Sequence, residues 1–287
     1  MIPLSPEESD PMRISVGFAP LLLPVLALVA GCGGAGTSMT STQTQPPNPT
    51  ASLSGDWGAL GIPTGTPPAL ASPISLFMGS LQFNGSSVSG TFRALPSQPG
   101  SCLTAITAQD LAVTGTYDSG SMTLTLTLPI AGGTASLSAP IAAAGGTYNA
   151  GSWQIVGGSC ATGQTPMRLA QFASVTGTFT GTVSAIDLTT GMPVAGSGIT
   201  LTATLTQSTA ANADGQYPLT GTVTALGSCT GTYTLTNYVV SGGEVMPPPY
   251  TPFSFIGAAD PSATLMVASL VPSSCPFSSY VGTLTRQ

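Results

Sequence analysis

Apolar and polar residues alternate with a period of two in short runs from residue 51 to the end of the chain. The pattern is clearest in 121–129 (SMTLTLTLP) and 198–207 (GITLTATLTQ), where Thr alternates with Leu or another apolar residue. A β-strand of this kind buries its Leu face and presents hydroxyl groups to water. The same alternation predicts further strands near 74–83, 88–93, 111–117, 175–185, 219–226 and 230–239.

Turn-forming sequences separate these predicted strands. They are Asn84-Gly85, Asp118-Ser119-Gly120, Gly132-Gly133 and Asp214-Gly215. Such sequences favour the tight turns of β-hairpins, and no long segment carries the apolar period of an amphipathic helix. The pattern therefore predicts an all-β fold of antiparallel meanders, each forming a small barrel or, as the alternative, a sandwich.

Part of the chain occurs twice. Residues 89–102 (SGTFRALPSQPGSC) and 220–229 (TGTVTALGSC) share seven of ten paired residues when PSQP is treated as an insertion. Upstream of these segments, 54–58 (SGDWG) corresponds to 176–180 (TGTFT). The matches indicate an internal duplication.

The duplication extends to the end of each half. Cys160 corresponds to Cys275, and Arg168 corresponds to Arg286. The same order of small residue, glycine, aromatic residue, two cysteines and arginine thus occurs twice. We therefore predict two homologous β domains, residues 51–172 and residues 173–287.

Charged residues make up only 5% of the chain, whereas a typical soluble domain has about 25%. Disorder requires low hydrophobicity as well as this bias, and 42% of the residues are apolar. The composition therefore indicates a folded protein with a surface rich in hydroxyl groups. From Cys32 onward seven acidic residues and three arginines leave a net charge of −4. Three dispersed arginines cannot neutralise a run of phosphates, so we expect no binding to nucleic acid and find no support for attraction to anionic lipid headgroups.

The longest apolar run, 14–30, follows Arg13 and is interrupted by Pro20 and Pro24. A positive charge, a short apolar centre and small residues at its end are typical of a signal peptide, which we assign to residues 1–31. Residues 1–11 are acidic, which is unusual for such a segment. Translation from Met12 would give the ordinary start MRISVGFAP.

The sequence Val29-Ala30-Gly31-Cys32 resembles the lipobox of bacterial lipoproteins. The resemblance implies cleavage before Cys32, diacylation of its sulfur with fatty acids such as palmitate, and anchoring to a membrane. Gly33 follows, where Asp would indicate retention in the inner membrane, so the resemblance implies the outer membrane of the cell envelope. The alternative is an ordinary secretory signal followed by an incidental cysteine.

Residues 33–50 are rich in Gly, Ser, Thr, Gln and Pro and show no apolar period. With Cys32 they are predicted to form a flexible linker between the anchor and the folded domains. A structured arm is the alternative.

The other four cysteines fall two in each half of the duplication. The repeat favours the disulfides Cys102–Cys160 and Cys229–Cys275, and an exported protein is free to form them. Metal binding is the competing interpretation, but the chain contains neither a CxxC motif nor histidine. We expect no metal and no cofactor.

Gly55-x-Trp57 near the start of the first half, with Arg168 near its end, resembles the calycin (lipocalin-like) superfamily, in which a Trp on the first strand packs against an Arg of the last. Gly177-x-Phe179 with Arg286 is the second copy, with Phe in place of Trp. The resemblance implies a barrel that carries a small apolar ligand. Five aromatic residues are candidates for lining it: Trp57, Phe77, Trp153, Phe179 and Phe255. The alternative is that the aromatic residues are core residues beneath an arginine and bind nothing.

The residue inventory also limits catalysis. Without histidine no Ser-His-Asp or Cys-His set can form, and without lysine Schiff bases and Walker-type phosphate binding are excluded. Paired carboxylates remain possible, but Asp118, Asp214 and Asp260 precede turn residues, where Asp favours the bend itself. We therefore predict that the protein is not an enzyme.

Three functions remain after these exclusions. We expect a non-catalytic cell-envelope lipoprotein, anchored to the outer membrane, with a structural or protein-interaction role. The first alternative is carriage of a small apolar ligand in a calycin-like barrel. The second is a carbohydrate-binding module, which would need an exposed aromatic platform or, for cleavage, facing carboxylates.

Overall fold

The computed structural model describes residues 53–61, 76–95, 110–130, 133–141, 148–158, 161, 163–187, 189–249, 251, 253–272 and 275–287. The predicted signal peptide, the linker with Cys32, and the cysteines Cys102 and Cys160 lie outside these residues. The described residues form sixteen β-strands. No helix in this part of the chain could cross a membrane.

The first eight strands form one closed barrel. Each strand pairs antiparallel with the next, and β8 returns to β1, where Gln171 pairs with Trp57. The strands are β1 (Gly55–Gly61), β2 (Leu76–Asn84), β3 (Ser87–Leu95), β4 (Asp110–Asp118), β5 (Thr123–Ile130), β6 (Gly133–Pro140), β7 (Asn149–Val156) and β8 (Thr165–Phe172).

The last eight strands repeat this topology in a second closed barrel. Here β16 returns to β9, where Arg286 pairs with Phe179. The strands are β9 (Gly177–Ala185), β10 (Ile199–Gln207), β11 (Tyr217–Leu226), β12 (Gly231–Ser241), β13 (Glu244–Met246), β14 (Ser254–Ala259), β15 (Leu265–Val271) and β16 (Tyr280–Arg286). The all-β fold in two tandem, homologous antiparallel domains is confirmed, and the domains are barrels rather than sandwiches.

The alternation of Thr with Leu positions these strands. On β5 the side chains of Leu124, Leu126 and Leu128 are fully buried, and the intervening threonines face outward. On β10, Leu201, Ala203 and Leu205 are buried in the same way. Each barrel encloses its own hydrophobic core, so the duplicated sequence folds around two centres.

The repeated SGT/TGT sequence occupies the same place in both barrels. Gly90 on β3 lies opposite Leu81 of β2, and Gly221 on β11 lies opposite Leu205 of β10. A Cβ atom at either glycine would overlap the backbone of the neighbouring strand, at Ser80 or Thr204. The third strand of each barrel therefore needs glycine at this point, because the two backbones approach closely.

Candidate functional site

The five candidate ligand-lining aromatic residues lie in the two separate cores. Trp57, Phe77 and Trp153 belong to the core of the first barrel, and Phe179 and Phe255 to that of the second. Each side chain is at most 2% exposed. They pack against the other core side chains of their own barrel, so the structure does not gather them into one site.

The proposed pairing of Trp57 with Arg168 is wrong. Arg168 pairs with Leu60 of β1, three residues beyond Trp57, and its side chain is exposed. Gln171 stands opposite Trp57 and donates from Nε2 to the Ser54 carbonyl oxygen at 3.1 Å. The register of β8 shows that glutamine takes the place of the arginine in the first barrel, so the correspondence of Arg168 with Arg286 is wrong as well.

The second barrel does bring its arginine to the aromatic residue. The guanidinium carbon of Arg286 lies 5.4 Å from the centre of the Phe179 ring, a cation–π geometry. Its Nη2 also donates to the carbonyl oxygens of Ser174 and Thr176, which precede β9. Arg286 thus fastens the last strand to the segment that enters the second barrel.

A disulfide joins Cys229 to Cys275, as predicted, with their Cα atoms 5.2 Å apart. It links the β11–β12 turn to the segment before β16. The equivalent pair Cys102–Cys160 lies outside the described residues and stays a prediction, as does the lipidation of Cys32.

The two barrels belong to one compact unit, and a buried carboxyl group lies where they meet. Asp56 on β1 faces away from the first core and is only 4% exposed. Its two oxygens accept hydrogen bonds from the backbone N–H groups of Gly242 at 2.6 Å and Gly243 at 3.0 Å. These glycines form the β12–β13 turn with φ angles of 56° and 75°, which favour glycine.

Burial controls the charge of this carboxyl group. Desolvation raises the pKa of Asp56 to about 7, although hydrogen bonds from Gly243 and Gly242 oppose the shift. Desolvation also raises the pKa of Glu244, the residue after the turn, to about 7. Two carboxyl groups at the junction are therefore partly protonated at neutral pH.

Outward-facing side chains of the first barrel are buried around Asp56. Met78 and Ala170 are fully buried, and Phe172 is 8% exposed, yet none of the three belongs to either core. A second turn of the other barrel, at Gly215, lies against Thr91 and Ser80 of the first. The junction is thus formed by turns of the second barrel packed on an outer face of the first that is made by β1, β2, β3 and β8. We call this face the docking face.

Beside the junction lies an open cleft of about 450 Å³. It is lined by Ser54, Gly55, Asp56, Gln82, Ser174, Thr176, Gln207, Ser208, Thr209 and Tyr217. These residues come from β1, β2, the connection between the barrels, and the β10–β11 turn with its flanks. Five hydroxyl and two amide side chains are among the lining residues, so the cleft offers several groups for hydrogen bonding.

Sequence reasoning missed both the junction and the cleft. A signal was present at Asp56, an isolated acidic residue at an outward position of a strand whose repeat, β9, has Thr178 there. A single carboxyl group does not reveal which backbone N–H groups it meets, because its partners are 186 and 187 residues away.

The described residues contain no group of three or more His, Cys, Asp or Glu side chains that could hold a metal ion. No family model, no curated protein and no solved structure matches the chain.

Proposed function

We propose that the chain is an exported cell-envelope lipoprotein, anchored to the outer membrane through lipidated Cys32, with a non-catalytic structural or interaction role. The lipobox sequence supports the anchor, and residues 33–50 supply a linker of suitable composition. In this proposal the barrels are presented to the periplasm or the cell exterior.

The packing of the two barrels is the observation that carries the interaction role. Each barrel interior is occupied by its own large side chains, among them Trp153 and Phe255. A packed interior favours function at outer surfaces over carriage of an apolar ligand inside the barrel. The buried contact of Asp56 with the β12–β13 turn holds the two barrels together, as a binding surface formed by both barrels would require.

Carbohydrate binding is a second candidate function. The cleft beside the junction favours it, because the hydroxyl and amide side chains in its lining resemble the groups of a sugar in donor and acceptor character.

Fatty-acid labelling tests the anchor. Cells that express the chain are grown with a labelled fatty acid, and the protein is then isolated from the membrane fraction. We expect label on the wild-type chain and none on Cys32→Ala, because the thiol is the acylation site. Ser38→Ala in the linker is the matched control and should be labelled like the wild type. Label on Cys32→Ala would overturn the proposed anchor.

A further inference from the structure

We infer that the cleft between the barrels binds a neutral, polyhydroxylated ligand of the size of one or two sugar units. This inference deepens the proposed interaction role by naming its site and ligand class. It does not depend on the lipid anchor.

The chemistry of the lining matches such a ligand. Five hydroxyl side chains and two amide side chains surround the cleft, and each can both donate and accept hydrogen bonds. They are Ser54, Ser174, Thr176, Ser208, Thr209, Gln82 and Gln207. A sugar presents several hydroxyl groups of the same dual character. Tyr217 adds an aromatic ring and a hydroxyl group.

The charge of the lining excludes anionic ligands. Asp56 is the only ionisable carboxyl group among the described lining residues, and no basic side chain is among them. The chain contains no lysine or histidine. Arg286 donates to the backbone carbonyl oxygens of Ser174 and Thr176, so it braces this wall of the cleft. A phosphate or carboxylate ligand would find no partner of opposite charge.

Several lining groups are held in place by the backbone. The side-chain oxygen of Gln207 accepts from the Val175 N–H at 2.8 Å, and the Gln207 N–H donates to the Thr176 hydroxyl at 2.9 Å. The Ser54 hydroxyl accepts from the Phe83 N–H at 2.9 Å. Because these side chains are already ordered, a ligand would pay little entropy to fix them.

Three polar groups remain open in the cleft. Within the described ranges, no hydrogen bond to another residue uses the side chain of Gln82, the amide nitrogen of Gln207 or the hydroxyl of Tyr217. Burial raises the pKa of the Tyr217 hydroxyl, and the charge of Asp56 adds to the shift. The open groups therefore come from both barrels, as expected of a site formed between domains.

The size of the cleft agrees with this ligand class. A volume of about 450 Å³ falls within the range of about 300–1,000 Å³ for small-molecule sites. An open cleft also admits the end of a longer glycan chain.

Titration calorimetry with the full chain tests the inference. The protein is purified in a detergent without a sugar headgroup and titrated with cellobiose, maltose and diacetylchitobiose. Glucose 6-phosphate and glucosamine report the effect of negative and positive charge. We expect saturable binding of at least one neutral disaccharide and none of glucose 6-phosphate.

Two variants place the binding in the cleft. Gln82→Ala and Tyr217→Phe each remove one open polar group and should weaken binding by about three- to tenfold. Gln154→Ala on β7 and Tyr280→Phe in the second core are the matched controls and should bind like the wild type, since neither residue lines the cleft.

The inference is overturned if no neutral disaccharide binds at millimolar concentration. It is also overturned if Gln82→Ala and Tyr217→Phe bind as tightly as the wild type, or if either charged sugar binds more tightly than every neutral one. These outcomes leave the Cys32 labelling result untouched, so failure of the cleft and failure of the anchor are distinguishable.

Discussion

The two barrels differ most on one outer face. On the first barrel this is the docking face, where Asp56, Met78 and Ala170 are buried beneath turns of the second barrel. The register places Thr178, Thr202 and Thr285 at the same positions of β9, β10 and β16. The second barrel thus carries threonine where the first carries buried side chains.

The threonines form cross-strand rows. One row runs over five neighbouring strands through Thr285, Thr180, Thr202, Thr224 and Thr232. The hydroxyl oxygens of Thr180 and Thr202 lie 3.4 Å apart, and those of Thr224 and Thr232 lie 3.1 Å apart. Threonine favours the strand conformation and keeps this face hydrated.

The comparison shows that equivalent backbone positions of a duplicated sequence can carry a buried residue in one copy and a solvent-facing residue in the other. Burial of a large side chain such as Met78 contributes about 1.5–3 kcal/mol of stability, which the first barrel gains only when the second covers it. The second barrel needs no such cover. Four experiments test how far the two barrels, and these two faces, differ.

The largest expected effect concerns the disulfides, which test whether the barrels are equivalent at their cysteines. The bridge Cys229–Cys275 closes a loop with a sequence separation of 46, and its loss should lower the free energy of unfolding by about 4 kcal/mol in the chain-entropy model. Replacement of Cys102 and Cys160 by Ser should have a similar effect if the first barrel has the same bridge. Urea unfolding of the two double variants measures both losses.

Peptide mapping without reduction checks the connectivity. We expect fragments that join Cys102 to Cys160 and Cys229 to Cys275. A fragment that joins Cys102 to Cys229 would show that the bridges do not follow the duplication.

The next effect is expected at the turn that covers the docking face. Gly243 has a φ angle of 75°, and a Cβ atom there would overlap the Phe172 ring. Gly243→Ala should destabilise the protein by about 3 kcal/mol, through backbone strain and overpacking. Gly85→Ala is the matched control, because Gly85 has a φ of 61° with open space around its Cβ position.

The control variant should be destabilised by backbone strain alone, by about 1 kcal/mol. Urea unfolding followed by tryptophan fluorescence reports on the first barrel, since Trp57 and Trp153 both lie in its core. Equal losses in the two variants would mean that the turn does not press on the docking face.

A smaller effect compares the equivalent residues Asp56 and Thr178. At pH 5, Asp56→Ala should destabilise the protein by about 2 kcal/mol, because the N–H groups of Gly242 and Gly243 lose their acceptor. Thr178→Ala should change stability by less than about 0.5 kcal/mol, as expected for a surface residue. Similar losses at both positions, measured by urea unfolding, would contradict the assignment of one face to packing and the other to water.

The last experiment tests a pH dependence that the two buried carboxyl groups at the junction should cause. Burial raises the pKa of Asp56 from 3.8 to about 7 and that of Glu244 from 4.5 to about 7. Between these values the folded state holds more protons than the unfolded state, so stability falls as pH rises from about 4 to 7 and then levels off. Each group contributes to this slope only between its unfolded and its folded pKa value.

Urea unfolding at pH 5, 6, 7 and 8 measures the slope. Asp56→Asn should remove its share, and Glu244→Gln should remove the remainder. The chain has no histidine, and hydrogen bonds lower the pKa values of Asp118 and Asp187, so these groups do not titrate in this range. A wild-type profile that rises with pH would contradict the raised pKa values.

The sequence predicted strands where large apolar residues alternate with threonine. The segment 198–207 became β10, and 219–226 lies within β11. The alternation did not predict β1, β6, β7, β8 or β13 to β16. In β6 and β14 the reason is that GTASLSAP and SFIGAA contain mainly small residues with little contrast between the two faces. Closure into barrels also could not be read from the alternation, because it depends on pairing between the first and last strands.

Contacts between the two halves of the duplication could not be predicted from the sequence for a different reason. The match of Arg168 to Arg286 relied on residue type, whereas the register of β8 places Gln171 in the equivalent position. The sequence showed that Asp56 is an isolated acidic residue at an outward strand position, but not which groups it contacts. Residue type locates a strand face, but register and docking decide what that face touches.

The contact between the two barrels is also directional. A head-to-tail contact between repeated units can continue into a filament, because every unit carries both of the complementary surfaces. Here the second barrel contributes the Gly242-Gly243 turn, and the first contributes the Asp56 carboxyl group that accepts hydrogen bonds from it. The second barrel has Thr178 in place of Asp56, so its equivalent face lacks the carboxyl group that accepts the turn.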